Sequence, residues 1–187
     1  MSYASEYRSE LMTAIESIDV DRVEQAISWL REARDAGRSI FVCGNGGSAA
    51  TASHLACDLV KGASFGRRQR FRVMALTDSL PTITAYSNDV SYEAVFVEQL
   101  KNFAAPGDLL IAISASGNSP NVLRAAEFAN SAGCRTLGLT GRDGGALGRL
   151  VQLNLNVPVD HMGRIEDAHL IICHIMAYHF MEQPLKS

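Results

Sequence analysis

A glycine turn in the first quarter of the chain has the composition of an anion site. Residues 44–48 read GNGGS and stand between an apolar segment and a predicted helix. Glycines let backbone amides approach an anion closely, and the following helix, with Ser48 predicted as its N-cap, adds free N–H groups and a positive dipole end. The spacing is neither that of a Walker loop nor that of GxGxxG. The turn suits a phosphate, and a strand-to-helix turn without a ligand explains it equally well.

A second turn is rich in hydroxyl groups. Residues 114–122 read SASGNSPNV, with Ser114, Ser116 and Ser119 ahead of a predicted helix that has Pro120 in its first turn. Three hydroxyls and backbone amides can hold a phosphate dianion without a basic side chain. An ordinary Ser or Asn cap is the alternative. Two such turns after neighbouring strands favour a bound ligand.

A third polar segment, SNDVSYE at 87–93, is predicted to be a loop. In it, Asn88 and Asp89 either accept hydrogen bonds from sugar hydroxyls or cap a helix that starts near Ser91.

Two predicted helices carry possible metal ligands. His54 and Asp58 are four residues apart and share one helix face, and Glu166 and His174 are eight apart, slightly more than two turns. Together they would give a tetrahedral site of two nitrogens and two oxygens, with zinc as the first hypothesis and manganese, iron or nickel as alternatives. The other interpretation is a surface His–Asp hydrogen bond and core histidines in an apolar helix.

Alternating strands and helices must position these residues. Apolar segments that predict strands lie at 39–44, 71–76, 108–114, 135–140 and 152–158. Helical patterns lie at 48–61, 91–104, 119–132, 144–150 and 165–182, and residues 5–36 predict one long helix or two joined near Asp19 and Asp21. The pattern predicts an α/β fold, a doubly wound parallel sheet sandwiched between helices, with an N-terminal helical arm. In such sheets ligands bind at the carboxyl ends of the strands, where the polar turns lie.

Length and composition limit the function further. The chain has 187 residues, enough for one domain, and a net charge of -3, which does not suggest a nucleic-acid partner. The sequence contains no signal-peptide pattern and no apolar stretch that could span a membrane, so a cytoplasmic protein is expected. The four cysteines match no zinc or redox spacing and are predicted to be buried, reduced thiols: Cys43, Cys57, Cys134 and Cys173.

Four separated motifs together resemble the SIS (sugar isomerase) domain and, within it, the phosphoheptose isomerases. They are CGNGGSAATASHLACDL, SASGNSPNVL, the dipeptide Asn88-Asp89 and GRIEDAHLIICHIMAYHFME, and the resemblance covers roughly residues 5–183. It implies a flavodoxin-like SIS fold in one domain over 1–187, with residues 1–36 as an oligomerisation arm and 37–187 as a phosphosugar-binding core. It also implies a homotetramer whose active sites lie between subunits.

The resemblance implies conversion of sedoheptulose 7-phosphate to D-glycero-D-manno-heptose 7-phosphate, for nucleotide-activated heptose in bacterial glycans such as lipopolysaccharide. The implied substrate-binding positions are Asn45, Gly46, Gly47, Ser48, Asn88, Asp89, Ser114, Ala115, Ser116, Ser119 and Glu166. The implied zinc and catalytic positions are His54, Asp58, Glu166 and His174, with His174 as the acid and either Asp58 or Glu166 as the base.

Two positions depart from the family pattern. The family commonly has Glu at the position of Asp58 and Gln at the position of Glu166. This pair of changes would keep a carboxylate base in the site while moving it from the helix of Asp58 to the helix of Glu166. A non-catalytic phosphosugar-binding or partner protein, of the type that associates with a replication initiator, is the alternative function. Because His54 and His174 are both present, the enzyme is favoured.

Overall fold

Five parallel strands form the centre of the molecule. A computed structural model describes residues 2–184. The strands are β1 (Ser39–Cys43), β2 (Arg72–Ala75), β3 (Leu109–Ser114), β4 (Arg135–Gly141) and β5 (Leu153–Val157). All five predicted strands are present, in the order β2-β1-β3-β4-β5. The strand order reverses between β1 and β3, and a crevice opens at the carboxyl ends of the strands on either side of such a reversal.

Helices cover both faces of this sheet. They are α1 (Tyr3–Glu16), α2 (Val20–Asp35), α3 (Gly47–Cys57), α4 (Leu80–Asp89), α5 (Val97–Phe103), α6 (Pro120–Ser131), α7 (Gly145–Leu150) and α8 (Met162–Met181). A π-helical segment, Asp58–Gly62, continues α3, and a 3-10 turn, Tyr92–Ala94, precedes α5.

Strands β1 and β3 send alternate side chains into two separate cores. In β1, Ile40 and Val42 join the core shared with α2, α3 and α8, whereas Phe41 and Cys43 join the core shared with α5, α6 and α7. Strands that are apolar on both faces bury both, which is the reason for their nearly continuous apolar sequence. The predicted doubly wound parallel sheet is confirmed.

The N-terminal segment forms two helices, separated at residues 17–19. Asp19 caps α2, because its Oδ1 accepts a hydrogen bond from the backbone N–H of Arg22 at 3.1 Å. Helix α2 packs against this chain's own sheet, with Val23, Ile27 and Leu30 buried, while α1 packs on α8 and buries only Ala14. The amphipathic face of α2 is therefore already covered within one chain.

Helix α4 is absent from the sequence prediction, which treated residues 87–93 as a loop. Asn88 and Asp89 instead lie in the last turn of α4. None of the residues of this helix is buried, so it has no apolar periodicity by which it could be recognised.

The cysteine prediction was wrong at one position. Cys43, Cys134 and Cys173 are buried, and burial raises the pKa of Cys43 and Cys173 to about 12, but Cys57 is exposed. Cys57 ends α3 on the face that points away from the sheet. Across residues 2–184, no helix combines the length and the apolar character needed to cross a membrane.

Candidate active site

A cavity of about 280 Å³ opens where β1 and β3 end side by side. Residues from both turns and from α8 line it: Asn45, Gly46, Gly47, Ser48, Ile113, Ser114, Ala115, Ser116, Ser119, Met162 and Glu166. Neither Ile113 nor Met162 was predicted from the sequence. The strand reversal thus brings together two turns that are about seventy residues apart in the chain.

The GNGGS turn presents backbone amides to this cavity. Gly46 precedes α3 with φ 55° and ψ -123°, a conformation that favours glycine. No side chain caps this helix, and Ser48, predicted as the cap, is instead a buried residue of its first turn. The N-terminal N–H groups of α3 are therefore available to an anion together with the positive end of the helix dipole.

The second turn presents hydroxyl groups. Ser114 Oγ lies 3.1 Å from Ser119 Oγ and 3.5 Å from Ser116 Oγ. Ser119 is the N-cap residue of α6, yet its side chain makes no capping hydrogen bond. Three hydroxyls thus converge at the start of a second helix, an arrangement that can hold a phosphate dianion.

Glu166 extends from α8 into the same cavity. Its carboxylate lies against Gly47 so closely that a Cβ at that position would be 2.5 Å from Glu166 Oε2. Any side chain at position 47 would therefore displace the carboxylate. Because α3 and α8 both begin at the carboxyl edge of the sheet and pack side by side, Glu166 meets the first turn of α3.

Further along the same pair of helices, three polar side chains form a group. His54 Nε2 lies 3.2 Å from His174 Nε2 and 3.4 Å from Asp58 Oδ2. Each of the three residues thus offers one possible ligand atom, and these atoms lie within 4.8 Å of one another. Asp58 Oδ2 is buried without a hydrogen-bond partner in the described part of the chain. A buried carboxylate oxygen without a partner is costly, and a cation would compensate it. Two imidazole nitrogens and one carboxylate oxygen suit a divalent metal.

Glu166, the fourth predicted ligand, does not join this group in the structure. Eight residues of helix separate it from His174 by about 12 Å along the axis, and its carboxylate points to the cavity at Gly47. The structure therefore brings three of the four predicted ligands together. Another histidine of α8, His169, is buried, and burial lowers its pKa to about 4.

The cavity and the His–Asp–His group lie along one seam between α3 and α8. Gly47 and His54 are seven residues apart, about 10 Å along the axis of α3. An extended ligand bound with its anionic end at the serine turn can thus direct its other end towards the histidines.

The third polar segment contributes differently from the prediction. Asn88 and Asp89 hydrogen bond to each other, with Asn88 Nδ2 2.7 Å from Asp89 Oδ1, and neither lines the cavity. Tyr92, which sequence reasoning missed, donates its hydroxyl proton to Asn45 Oδ1 at 2.8 Å. No sequence signal singles out this tyrosine.

A larger groove of about 600 Å³ lies elsewhere, between α5 and α6. It contains none of the predicted site residues, and its charged pair Arg124–Glu93 is a salt bridge between exposed side chains. This groove is the larger of the two, but the residues that could bind a phosphate line the cavity at β1 and β3, which is therefore the candidate active site.

Comparisons with known proteins identify the family of the chain. The model of the SIS domain matches residues 2–141. The phosphoheptose isomerase of Citrifermentans bemidjiense is 40% identical over 167 residues, covering 89% of this chain and 86% of that protein. That of Aliarcobacter butzleri is 46% identical over 138 residues, covering 74% and 72%. Among solved structures, the phosphoheptose isomerase GmhA of Neisseria gonorrhoeae superposes with a TM-score of 0.87 at 32% identity, covering 95% of this chain and 96% of that one.

Proposed function

Because the chain belongs to the SIS domain family, we propose that it is a phosphoheptose isomerase, which converts sedoheptulose 7-phosphate into D-glycero-D-manno-heptose 7-phosphate. This proposal rests on one observation. The serine turn, which can bind a phosphate, and the carboxylate of Glu166 line the same cavity, and the seam between α3 and α8 leads from this cavity to the His–Asp–His group. A heptose 7-phosphate has its phosphate and its reacting carbons at opposite ends. The serine turn can bind the phosphate end of the sugar, and side chains along the seam can act on the reacting carbons.

The phosphate is proposed to bind at the serine turn. The hydroxyls of Ser114, Ser116 and Ser119 and the N-termini of α3 and α6 supply donors and positive dipole ends there. Holding the phosphate fixes the sugar chain relative to the side chains of α8. Such orientation can contribute several kcal/mol to lowering the barrier, since the reacting atoms are held in position.

The reaction needs a base that moves a proton between adjacent carbons. Removing a proton from C1 of the ketose gives an enediolate, and returning it to C2 gives the aldose. We assign the base to Glu166, because its carboxylate lines the cavity, whereas Asp58 lies between two imidazoles outside the cavity lining. This assignment places the base on α8.

The developing charge on the C2 oxygen needs an acid or a cation. His174 is the proposed acid, because its side chain is 40% exposed and lies on the seam between α3 and α8. His54 Nε2, His174 Nε2 and Asp58 Oδ2 would hold a divalent cation, with zinc the first choice for this donor set. When bound, the cation supplies Lewis acidity that polarises the carbonyl oxygen, in place of a proton from His174.

The proposed assembly is a homotetramer. The side chains of His54 and His174 are 48% and 40% exposed, so both histidines of the His–Asp–His group are partly open to solvent. Exposed apolar side chains of α8 lie beside it, among them Ile175 and Tyr178. A second copy packed on this surface would cover both, and the helical arm would contribute through α1.

The direct test is incubation of the purified protein with sedoheptulose 7-phosphate, with the aldose followed by NMR. We expect the aldose phosphate to accumulate to equilibrium, and unphosphorylated sedoheptulose to react far more slowly. A protein that binds the phosphosugar without producing any aldose would instead be the non-catalytic binding protein.

A further inference from the structure

Three segments that lie far apart in the sequence meet at the side chain of Asn45. Asn45 Nδ2 donates to Asn121 Oδ1 at 2.9 Å, and Asn121 Nδ2 donates back to Asn45 Oδ1 at 2.9 Å. The hydroxyl of Tyr92 donates to the same Asn45 oxygen at 2.8 Å. Asn45 belongs to the GNGGS turn, Asn121 to the first turn of α6, and Tyr92 to the 3-10 turn after α4.

These contacts occupy most of the hydrogen-bonding capacity of Asn45. An amide oxygen has two lone pairs, and Asn121 and Tyr92 take both. One N–H of the amide group is used by Asn121 Oδ1, which leaves a single N–H for a ligand. Asn45 can therefore donate one hydrogen bond to a substrate in a fixed direction, and its side-chain oxygen accepts none from the substrate.

The partner on α6 is itself held rigidly. Asn121 is 1% exposed, and its Oδ1 also accepts from the backbone N–H of Val122 at 3.0 Å. Asn121 follows the serine turn by two residues, so a shift of that turn is transmitted to Asn45 through the amide pair. The phosphate seat and the glycine turn are thereby joined by two hydrogen bonds within the cavity wall.

We propose that Tyr92 and Asn121 are positioning residues. They hold Asn45 and the GNGGS turn in a fixed position relative to the serine turn, where the phosphate is proposed to bind. The inference rests on the proposed function. Through Tyr92, the segment 87–93 acts on the cavity, although Asn88 and Asp89 do not line it. Neither Tyr92 nor Asn121 touches the reacting carbons, so each acts through Asn45.

The first test compares Tyr92→Phe with Tyr86→Phe. Tyr92→Phe removes only the hydroxyl that fixes Asn45, and loss of one neutral hydrogen bond predicts a fall of about 3- to 10-fold in kcat/KM. The Kd for inorganic phosphate should change much less than kcat/KM, because Ser114, Ser116 and Ser119 remain. Tyr86→Phe, which removes a tyrosine hydroxyl from α4, is the matched control. Equal kcat/KM values for the two variants, or an equal loss of phosphate and phosphosugar affinity in Tyr92→Phe, would overturn the proposal.

The second test is a double-mutant cycle between Tyr92→Phe and Asn121→Ala. Because both variants release the same amide, the combined loss in kcat/KM should be clearly smaller than the product of the two single losses. Additive losses would contradict action through Asn45. If Asn121→Ala does not fold, Asn121→Asp keeps the oxygen that accepts from Val122 and replaces the donor to Asn45 with a second carboxylate oxygen.

The same cycle separates this inference from the proposed function. If the wild-type protein binds sedoheptulose 7-phosphate without converting it, the proposed function is wrong. The cycle is then measured on the Kd for the phosphosugar by calorimetry, where non-additive losses support the positioning role and additive losses reject it.

Discussion

At the scale of single residues, the site separates two tasks along one seam. Hydroxyls and helix N-termini can hold an anion at the serine turn, in the cavity that Glu166 also lines, while Asp58 and two imidazoles lie further along α3 and α8. Ser119 illustrates the separation, because it stands at the N-cap position of α6 but turns its hydroxyl towards Ser114. A serine that only capped the helix would instead accept a hydrogen bond from a backbone N–H group in the first turn of α6.

This use of Ser119 makes the phosphate seat testable by substitution. The double variant Ser116→Ala/Ser119→Ala should raise KM for the phosphosugar by about 10- to 100-fold, because hydrogen bonds to a charged group are lost. Steady-state kinetics with unphosphorylated sedoheptulose should show no comparable change, and Ser131→Ala, at the other end of α6, serves as control. An equal effect on both sugars would reject the phosphate seat.

Two carboxylates compete for the role of base, and paired amide substitutions distinguish them. Glu166→Gln should lower kcat by about 10²- to 10⁴-fold and leave the content of divalent metal unchanged, since Glu166 lies outside the His–Asp–His group. Asp58→Asn should instead reduce the metal content, which elemental analysis measures. His54→Ala provides the reference for a lost ligand. An active Glu166→Gln enzyme would move the base to Asp58.

At the scale of elements, the strands and the meeting of His54 with Asp58 and His174 were predictable, whereas other contacts between side chains were not. Strands β1, β3 and β4 bury nearly all of their residues, so their apolar sequences are visible without any knowledge of their neighbours. Helix α4 buries none of its residues and leaves no such pattern. The contact of Glu166 with Gly47 and the bond from Tyr92 to Asn45 join elements distant in sequence, so only the packed sheet and helices reveal them.

Helix α8 contains a histidine that ties stability to pH. Burial lowers the pKa of His169 from 6.5 to about 4, so the unfolded chain takes up a proton there before the folded protein does. Stability is therefore fully present above about pH 6.5 and is lost as the pH falls from about 6.5 towards 4. The loss amounts to roughly 3 kcal/mol, because the pKa is about 4 in the folded protein and 6.5 in the unfolded chain.

Denaturant unfolding at fixed protein concentration measures this dependence. His169→Gln should flatten the slope of the unfolding free energy between about pH 6.5 and 4, because the titrating group is gone. A variant with the same slope as the wild type would show that other groups govern acid unfolding.

At the scale of the whole molecule, the exposed apolar surface of α8 is the surface on which the proposed assembly depends. Ile175 is 44% exposed and follows His174 directly, so a copy packed there would also enclose the seam. Helix α2 cannot supply this interface with its apolar face, since that face already packs on the sheet. The sequence shows that α2 is amphipathic, but only the packing shows what covers it.

Ile175→Glu tests whether the site depends on assembly. A buried charge at an interface is costly, so this variant should elute as a smaller species by light scattering and lose activity in parallel. Wild-type protein should show four times the mass of a single chain. Phe103→Glu, an equally exposed apolar position at the end of α5, should leave both mass and activity unchanged. A monomeric, fully active Ile175→Glu variant would contradict an active site shared between subunits.

The isomerisation itself is tested most directly in D₂O. Wild-type protein is incubated with sedoheptulose 7-phosphate, and the products are followed by NMR. Proton transfer through an enediolate, by a base that exchanges its proton with the solvent, predicts an aldose 7-phosphate that carries deuterium at C2. If the protein binds the phosphosugar but yields neither aldose nor exchange of the C1 hydrogens, the cavity between β1 and β3 is a binding site without catalysis.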